Sequence, residues 1–199
     1  MNQRSVLSTA CGLSLASLLA PALQSADERK AETYSVRTDF NVRVKMRDGV
    51  ELSADITRPD AEGRFPVILT RTPYNKASGG KTTIERWRYF ASRGYVFVAM
   101  DVRGRGDSDG EWVPPYRNDG RDGIDAIEWC AAQPWSTGKV GTLGGSYLGR
   151  IQWLTAIQQP PHLAAMIAAV TPSDPFVEWP TGVPIPMQIR WGRRSTSWV

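Results

Sequence analysis

The chain has 199 residues, 41% hydrophobic and 22% charged, a composition that supports one globular domain with a buried core and excludes a disordered chain. Its formal charge of +4 raises the question of nucleic acid, but four arginines account for it: Arg4 near the start, and Arg190, Arg193 and Arg194 at the end. The rest is neutral, with no basic stripe interleaved with aromatics to follow a phosphate backbone, so nucleic acid is excluded as a partner.

Residues 1–26 read as a signal peptide. One early positive charge is followed by an apolar or small run from Val6 to Leu23, too short and serine-rich to span a bilayer comfortably. Cleavage would follow Ala22 or Ala26, and an uncleaved anchor is the alternative. The first reading implies a secreted or periplasmic protein with no membrane contact after the leader is removed. Cys11 would leave with the leader, and Cys130 falls on the apolar face of a predicted helix as a buried, inert thiol. No internal disulfide and no catalytic cysteine are expected.

Residues 27–189 read as the domain proper. From Val36 to Arg58 two alternating runs flank Arg47-Asp48-Gly49, the signature of an antiparallel hairpin. "FPVILTRTPY" (Phe65 to Tyr74) and "YVFVAMD" (Tyr95 to Asp101) are short apolar runs suited to strands buried on both faces. "TTIERWRYFASRG" between them predicts a helix ending at Gly94. A second helix, "DGRDGIDAIEWCAAQ", leads to the strand "KVGTLG". A third runs from Ser146 to about Gln158, before the strand "LAAMIAAV". The fold class is α/β, an antiparallel hairpin followed by a doubly wound, mostly parallel sheet. Residues 190–199 form a divergent basic tail.

In such a sheet ligands bind in the loops at the C-terminal ends of the strands. One of these, Gly144-Gly145-Ser146-Tyr147-Leu148-Gly149, turns from a strand into a helix at Ser146, where an acyl-transfer enzyme places its nucleophile. Gly144 is expected where a side chain would collide with the neighbouring strand, and Gly149 where a bare backbone eases helix–strand packing. The Tyr147 N–H would open the helix, where free donors and the positive dipole end suit a developing oxyanion. By itself the turn reads equally as a glycine-rich start to a helix. Tyr74, after its strand, reads by itself as a packing tyrosine with its hydroxyl in water.

Two short matches lead nowhere. Arg105-Gly106-Asp107-Ser108 contains the adhesion tripeptide, but inside a longer glycine-rich loop. Asp107, Asp109 and Glu111 imitate half a calcium loop, with the glycine misplaced and no spaced glutamate to complete it. A turn stabilised by Asp and Gly accounts for them, and no metal or cofactor is expected.

The series "VKMRDGVELSADITRP", "FPVILTRTPYNK", "FASRGYVFVAMDVRGRGDSDGEW", "AIEWCAAQPWSTGKVGTLGGSYLG" and "TPSDPFVEW" closely resembles the X-Pro dipeptidyl-peptidase, cocaine esterase and glutaryl acylase family of α/β-hydrolases, from about Val36 to Ile189. The resemblance implies a serine hydrolase acting on an ester, an acyl amide or a short X-Pro peptide. It implies Ser146 as nucleophile and the Tyr74 hydroxyl with the Tyr147 N–H as oxyanion hole. Through the resemblance Glu178 falls near a carboxylate that binds a substrate ammonium; read from its own surroundings it is a solvated loop residue.

The chain's one histidine is not expected to be the base. α/β-Hydrolases order their triad serine, acid, histidine. The helix after Ser146 runs away from the site, and about twelve residues at 1.5 Å each carry the chain roughly 18 Å before His162, whereas a base must lie about 3 Å from the hydroxyl. Asp174, the one aspartate after Ser146, precedes the region where the family supplies acid and base. The expectation is a truncated hydrolase lacking both, whose last strand leaves an apolar edge open to self-association. The alternative is a non-catalytic binding or assembly module on the same fold.

Overall fold

The structure, a computed structural model, describes residues 34–113 and 116–171. The expected leader, Asp174, Glu178 and the basic tail lie outside the described residues. Strands β1 (Val36–Lys45) and β2 (Glu51–Pro59) form the hairpin. Its loop is closed by the Met46 N–H donating to the Val50 carbonyl at 2.8 Å, with Gly49 at a φ of 88°. Then follow β3 (Phe65–Thr72), α1 (Gly80–Ala91), β4 (Val96–Asp101), α2 (Asp119–Ala132), β5 (Ser136–Gly145), α3 (Tyr147–Ala156) and β6 (Leu163–Ala169).

These strands make one sheet in the order β1-β2-β4-β3-β5-β6. The β1/β2 and β2/β4 pairs are antiparallel, and β4, β3, β5 and β6 run parallel. From β3 the chain steps outward to β4, then returns across β3 to β5 and continues the other way to β6. The strand order therefore reverses between β3 and β5, and the crevice beyond their C-terminal ends is where a doubly wound sheet receives its ligands.

Every residue of β4 is buried, as its unbroken apolar run predicts. Alternation sorts them: Val96, Val98 and Met100 pack with Leu69, Val140 and the α2 residues Ala126, Ile127 and Cys130, whereas Phe97 and Ala99 pack with Trp87 of α1 on the other face. Cys130 is fully buried, which pushes its thiol well above the usual range. Among the described residues no helix is long and apolar enough to cross a membrane.

Polar groups latch the loops that follow β3 and β4. The Asp101 carboxylate accepts from the Lys76 N–H at 2.6 Å, the Lys76 Nζ at 3.3 Å and the Asp107 N–H at 3.1 Å. Lys76 Nζ also reaches Asp107 at 2.6 Å and Asp55 at 3.9 Å. Gly106 has a φ of 53°, and a Cβ there would run into the Asp101 carboxylate. The Arg-Gly-Asp tripeptide is thus an internal clasp: Arg105 Nε donates to the Pro73 carbonyl at 2.9 Å while Asp107 is engaged by Lys76.

Burial pulls the Lys76 ammonium down, but its hydrogen bond to Asp107 and the charges of Asp101 and Asp55 outweigh this and hold its pKa above the ordinary 10.5. Lys76→Met leaves the fully buried Asp101 without its cation, at an expected cost of about 3–5 kcal/mol in urea unfolding. A lysine whose folded pKa is raised gives its full stabilisation below the unfolded value and loses it as pH rises through the folded one. The gap between wild type and Lys76→Met therefore narrows above pH 10.5; a gap that stays constant there would contradict this account.

Candidate active site

Because β5 ends at Gly145 and α3 begins at Tyr147, a single residue makes the reversal. Ser146 does so at φ 56° and ψ −121°, a backbone conformation outside the left-handed helical well. For a residue with a Cβ such a conformation costs about 1–3 kcal/mol and persists only where the surroundings enforce it. Here the Ser146 N–H donates to the Ala169 carbonyl of β6 at 3.0 Å, and its carbonyl accepts the Arg150 N–H of α3 at 2.9 Å. The side chain is exposed and makes no cap hydrogen bond to its helix.

The glycines around it permit the bend, with one correction to the sequence reading. A Cβ on Gly144 would strike the Leu148 side chain in the first turn of α3, not the neighbouring strand. The sharpness of the turn folds α3 back over its own strand, so the obstacle is local. Gly149 behaves as expected, since a Cβ there would meet Thr171 and the Ala169 carbonyl at the end of β6.

Tyr147 anchors the turn from beneath. Its ring is buried, and its hydroxyl donates to Asp119 Oδ2 at 2.6 Å and accepts from Trp112 Nε1 at 3.1 Å. Its N–H belongs to the first turn of α3, at the positive end of the helix dipole. Burial, then the adjacent Asp119 carboxylate, drives the Tyr147 phenol far above its ordinary pKa, so it remains a neutral donor. Burial likewise raises Asp119, against the opposing pull of Arg71 and the Tyr147 hydroxyl.

Tyr74 stands after β3, across the crevice. Its N–H donates to Thr72 Oγ1 at 3.1 Å, and its ring meets that of Tyr147 edge-on, with centroids 6.3 Å apart. It is 46% exposed, and partial burial raises its hydroxyl pKa, keeping it a donor. A cleft of ≈ 250 Å³ lies alongside, lined by Tyr74, Trp87, Phe97, Leu143, Gly144 and Leu148 among others. Tyr74 and the Ser146–Tyr147 turn thus follow the adjacent parallel strands β3 and β5 on either side of the switch point, with Gly144 and Gly145 among the residues that line the cleft.

His162 does not join them. Leu163 pairs with Val140 and Ala169 with Gly145 in the parallel β5/β6 ladder, so His162 precedes one end while Ser146 follows the other. Six rungs at about 3.3 Å put them roughly 20 Å apart. His162 is exposed, with Nδ1 2.6 Å from Glu128 Oε2. Arg71, Asp101, Asp119 and Lys76 escaped the sequence reading. The signal for Arg71 and Asp101 was a charge inside an otherwise apolar strand, which must find a partner.

Residues 48–194 match the pattern of X-Pro dipeptidyl-peptidase (S15 family). The chain belongs to this family. The S15 chain is 41% identical over 143 residues to the cocaine esterase of Rhodococcus sp. (strain MB1 Bresler), covering 71% of this chain and 24% of that one. Among solved structures, a CocE/NonD family hydrolase from Staphylococcus aureus superposes with a TM-score of 0.60 at 33% identity, over 66% of this chain and 27% of the other. An α-amino acid ester hydrolase superposes with a TM-score of 0.54 at 27% identity, over 76% and 28%. The chain therefore spans about a quarter of the length of these relatives. The fold is of the α/β-hydrolase type, and the family is one of hydrolases.

The strain at Ser146 can be measured. Ser146→Gly relieves the positive φ at the cost of unfolded-state entropy, and the variant is expected to gain about 1 kcal/mol in urea unfolding. Ser146→Ala keeps the Cβ and should show no such gain. Equal stability in the two variants would mean that the turn is not strained.

Proposed function

We propose that the S15 chain carries the nucleophile and oxyanion hole of a serine hydrolase that cleaves ester or amide bonds through an acyl-enzyme. The observation that carries this reading is Ser146, an exposed hydroxyl on a backbone that its own side chain disfavours. In the first step Ser146 Oγ bonds to the carbonyl carbon and the carbonyl π electrons move onto oxygen. The Tyr147 N–H and the Tyr74 hydroxyl would donate to that oxyanion. Collapse re-forms the carbonyl, expels the alcohol or amine with a proton, and leaves the acyl group on Ser146 for water to remove.

The proton from Oγ needs a base, and His162 at the far edge of the sheet cannot supply it. The 199-residue polypeptide alone is therefore expected to turn over slowly, with rates on the order of 10³-fold over water from the oxyanion hole and binding. Purified chain should hydrolyse p-nitrophenyl acetate slightly above background, Ser146→Ala should remove the excess, and His162→Ala should leave it unchanged. If Ser146→Ala retained the excess rate, or His162→Ala lost it, the assignment would fail.

A second reading, a non-catalytic assembly module, draws on β6. Among the described residues this strand has a neighbour on one side only, carries no charge or proline, and leaves Ile167 62% exposed. Pairing with a second copy along this edge predicts a dimer in sedimentation velocity that Ile167→Lys converts to monomer. A wild-type monomer at high concentration would remove this reading.

A further inference from the structure

Among the described residues, the Arg71 guanidinium keeps two buried nitrogens that the catalytic reading does not account for. It projects from β3 beneath the nucleophile helix and is 6% exposed. Its Nη1 donates to the Asp119 carbonyl at 2.7 Å. Its Nη2 stands 3.6 Å from Asp119 Oδ1, beyond a direct hydrogen bond. Neither Nε nor Nη2 has a hydrogen-bond acceptor in the protein, although both are buried. A buried donor left in that state costs about 1–3 kcal/mol, and more when charged, so native proteins rarely leave one so.

Arg71 borders a small cavity between the sheet, α2 and α3. Its volume is ≈ 20 Å³, and Thr142, Gln152 and Thr155 bring polar atoms to a wall otherwise formed mainly by Leu69, Ile127 and Ile151. Thr155 Oγ1 donates to the Ile151 carbonyl at 2.8 Å, which leaves its lone pairs able to accept. A water needs roughly 10–15 Å³ of such space and two to four polar partners. The volume suits one water, and Arg71, Thr142, Gln152 and Thr155 are the lining residues that can serve as its partners. The nearby Asp119 carboxylate, which accepts from Tyr147, balances the Arg71 charge and favours a neutral occupant over an anion.

We propose that this cavity is a binding site for one structural water, which accepts from the free edge of Arg71 and donates toward the polar wall beneath α3. It seats the helix that follows Ser146 on the strand that ends before Tyr74. The test is made on the wild-type chain labelled with nitrogen-15. The Arg71 Nε–H resonance, assigned by its loss in Arg71→Lys or by triple-resonance spectra if that variant does not fold, should show cross-peaks to water of opposite sign in laboratory-frame and rotating-frame Overhauser spectra, the pattern of a long-lived neighbour. Sodium bromide should leave the resonance where it is. Absence of the cross-peak would overturn the proposal, and a saturable shift with bromide would overturn it in favour of an anion.

Discussion

The carboxylate of Asp101 is the fixed point of the site. It closes β4, lies fully out of water, and is met by the backbone and ammonium of Lys76 and the backbone of Asp107. A charge buried in this way is held because its partners are arranged around it, and removing any one exposes the cost of the rest. The loop after β3, which carries Tyr74, and the loop after β4, which carries Arg105 and Trp112, are each tied to this one group. Without the tie these loops would have the freedom usual for exposed connections, and Tyr74 would have no defined relation to β5.

Tyr147 plays two parts that depend on each other. Its side chain is drawn down into a hydrogen-bonded pair with Asp119 and Trp112, and this leaves its N–H at the head of α3. Rigid support under a reacting group is what preorganised electrostatic stabilisation requires, since donors that must reorient add to the barrier. The fold supplies it from three separate elements: α2 through Asp119, the loop before α2 through Trp112, and β3 through Arg71. The position of the Tyr147 backbone and this interior scaffolding are therefore aspects of one arrangement.

Much of this could be read in the sequence. The unbroken apolar run of β4 announced a strand covered on both faces, and Asp48-Gly49 announced the hairpin, because both signals are local. The sharp turn at Ser146 was legible for the same reason: Gly144, Gly145 and Gly149 around it mark a close passage from strand to helix. The supporting network was not legible, because its members meet only after folding. Asp119 opens a helix and looks like an ordinary first-turn acid, yet its partner Arg71 lies 48 residues earlier and Tyr147 28 later. Gly144 shows the limit from the other side. The sequence marked a position needing no side chain, but whether the obstacle was a neighbouring strand or the chain's own helix depended on the angle of the turn.

The reversal of strand order between β3 and β5 also sets the sequence of assembly. β3 is made early in the chain but ends in the middle of the sheet, flanked by two strands that come after it. The Tyr74 loop cannot lie beside the Ser146–Tyr147 turn until β5 has docked along β3 in parallel register, a pairing that closes a long loop. The parts of the site are thus kept apart until the central sheet is complete. The Ser146 turn and the Tyr74 loop therefore meet only through the pairing of β5 with β3, so their juxtaposition reports that the sheet beneath them is correctly made.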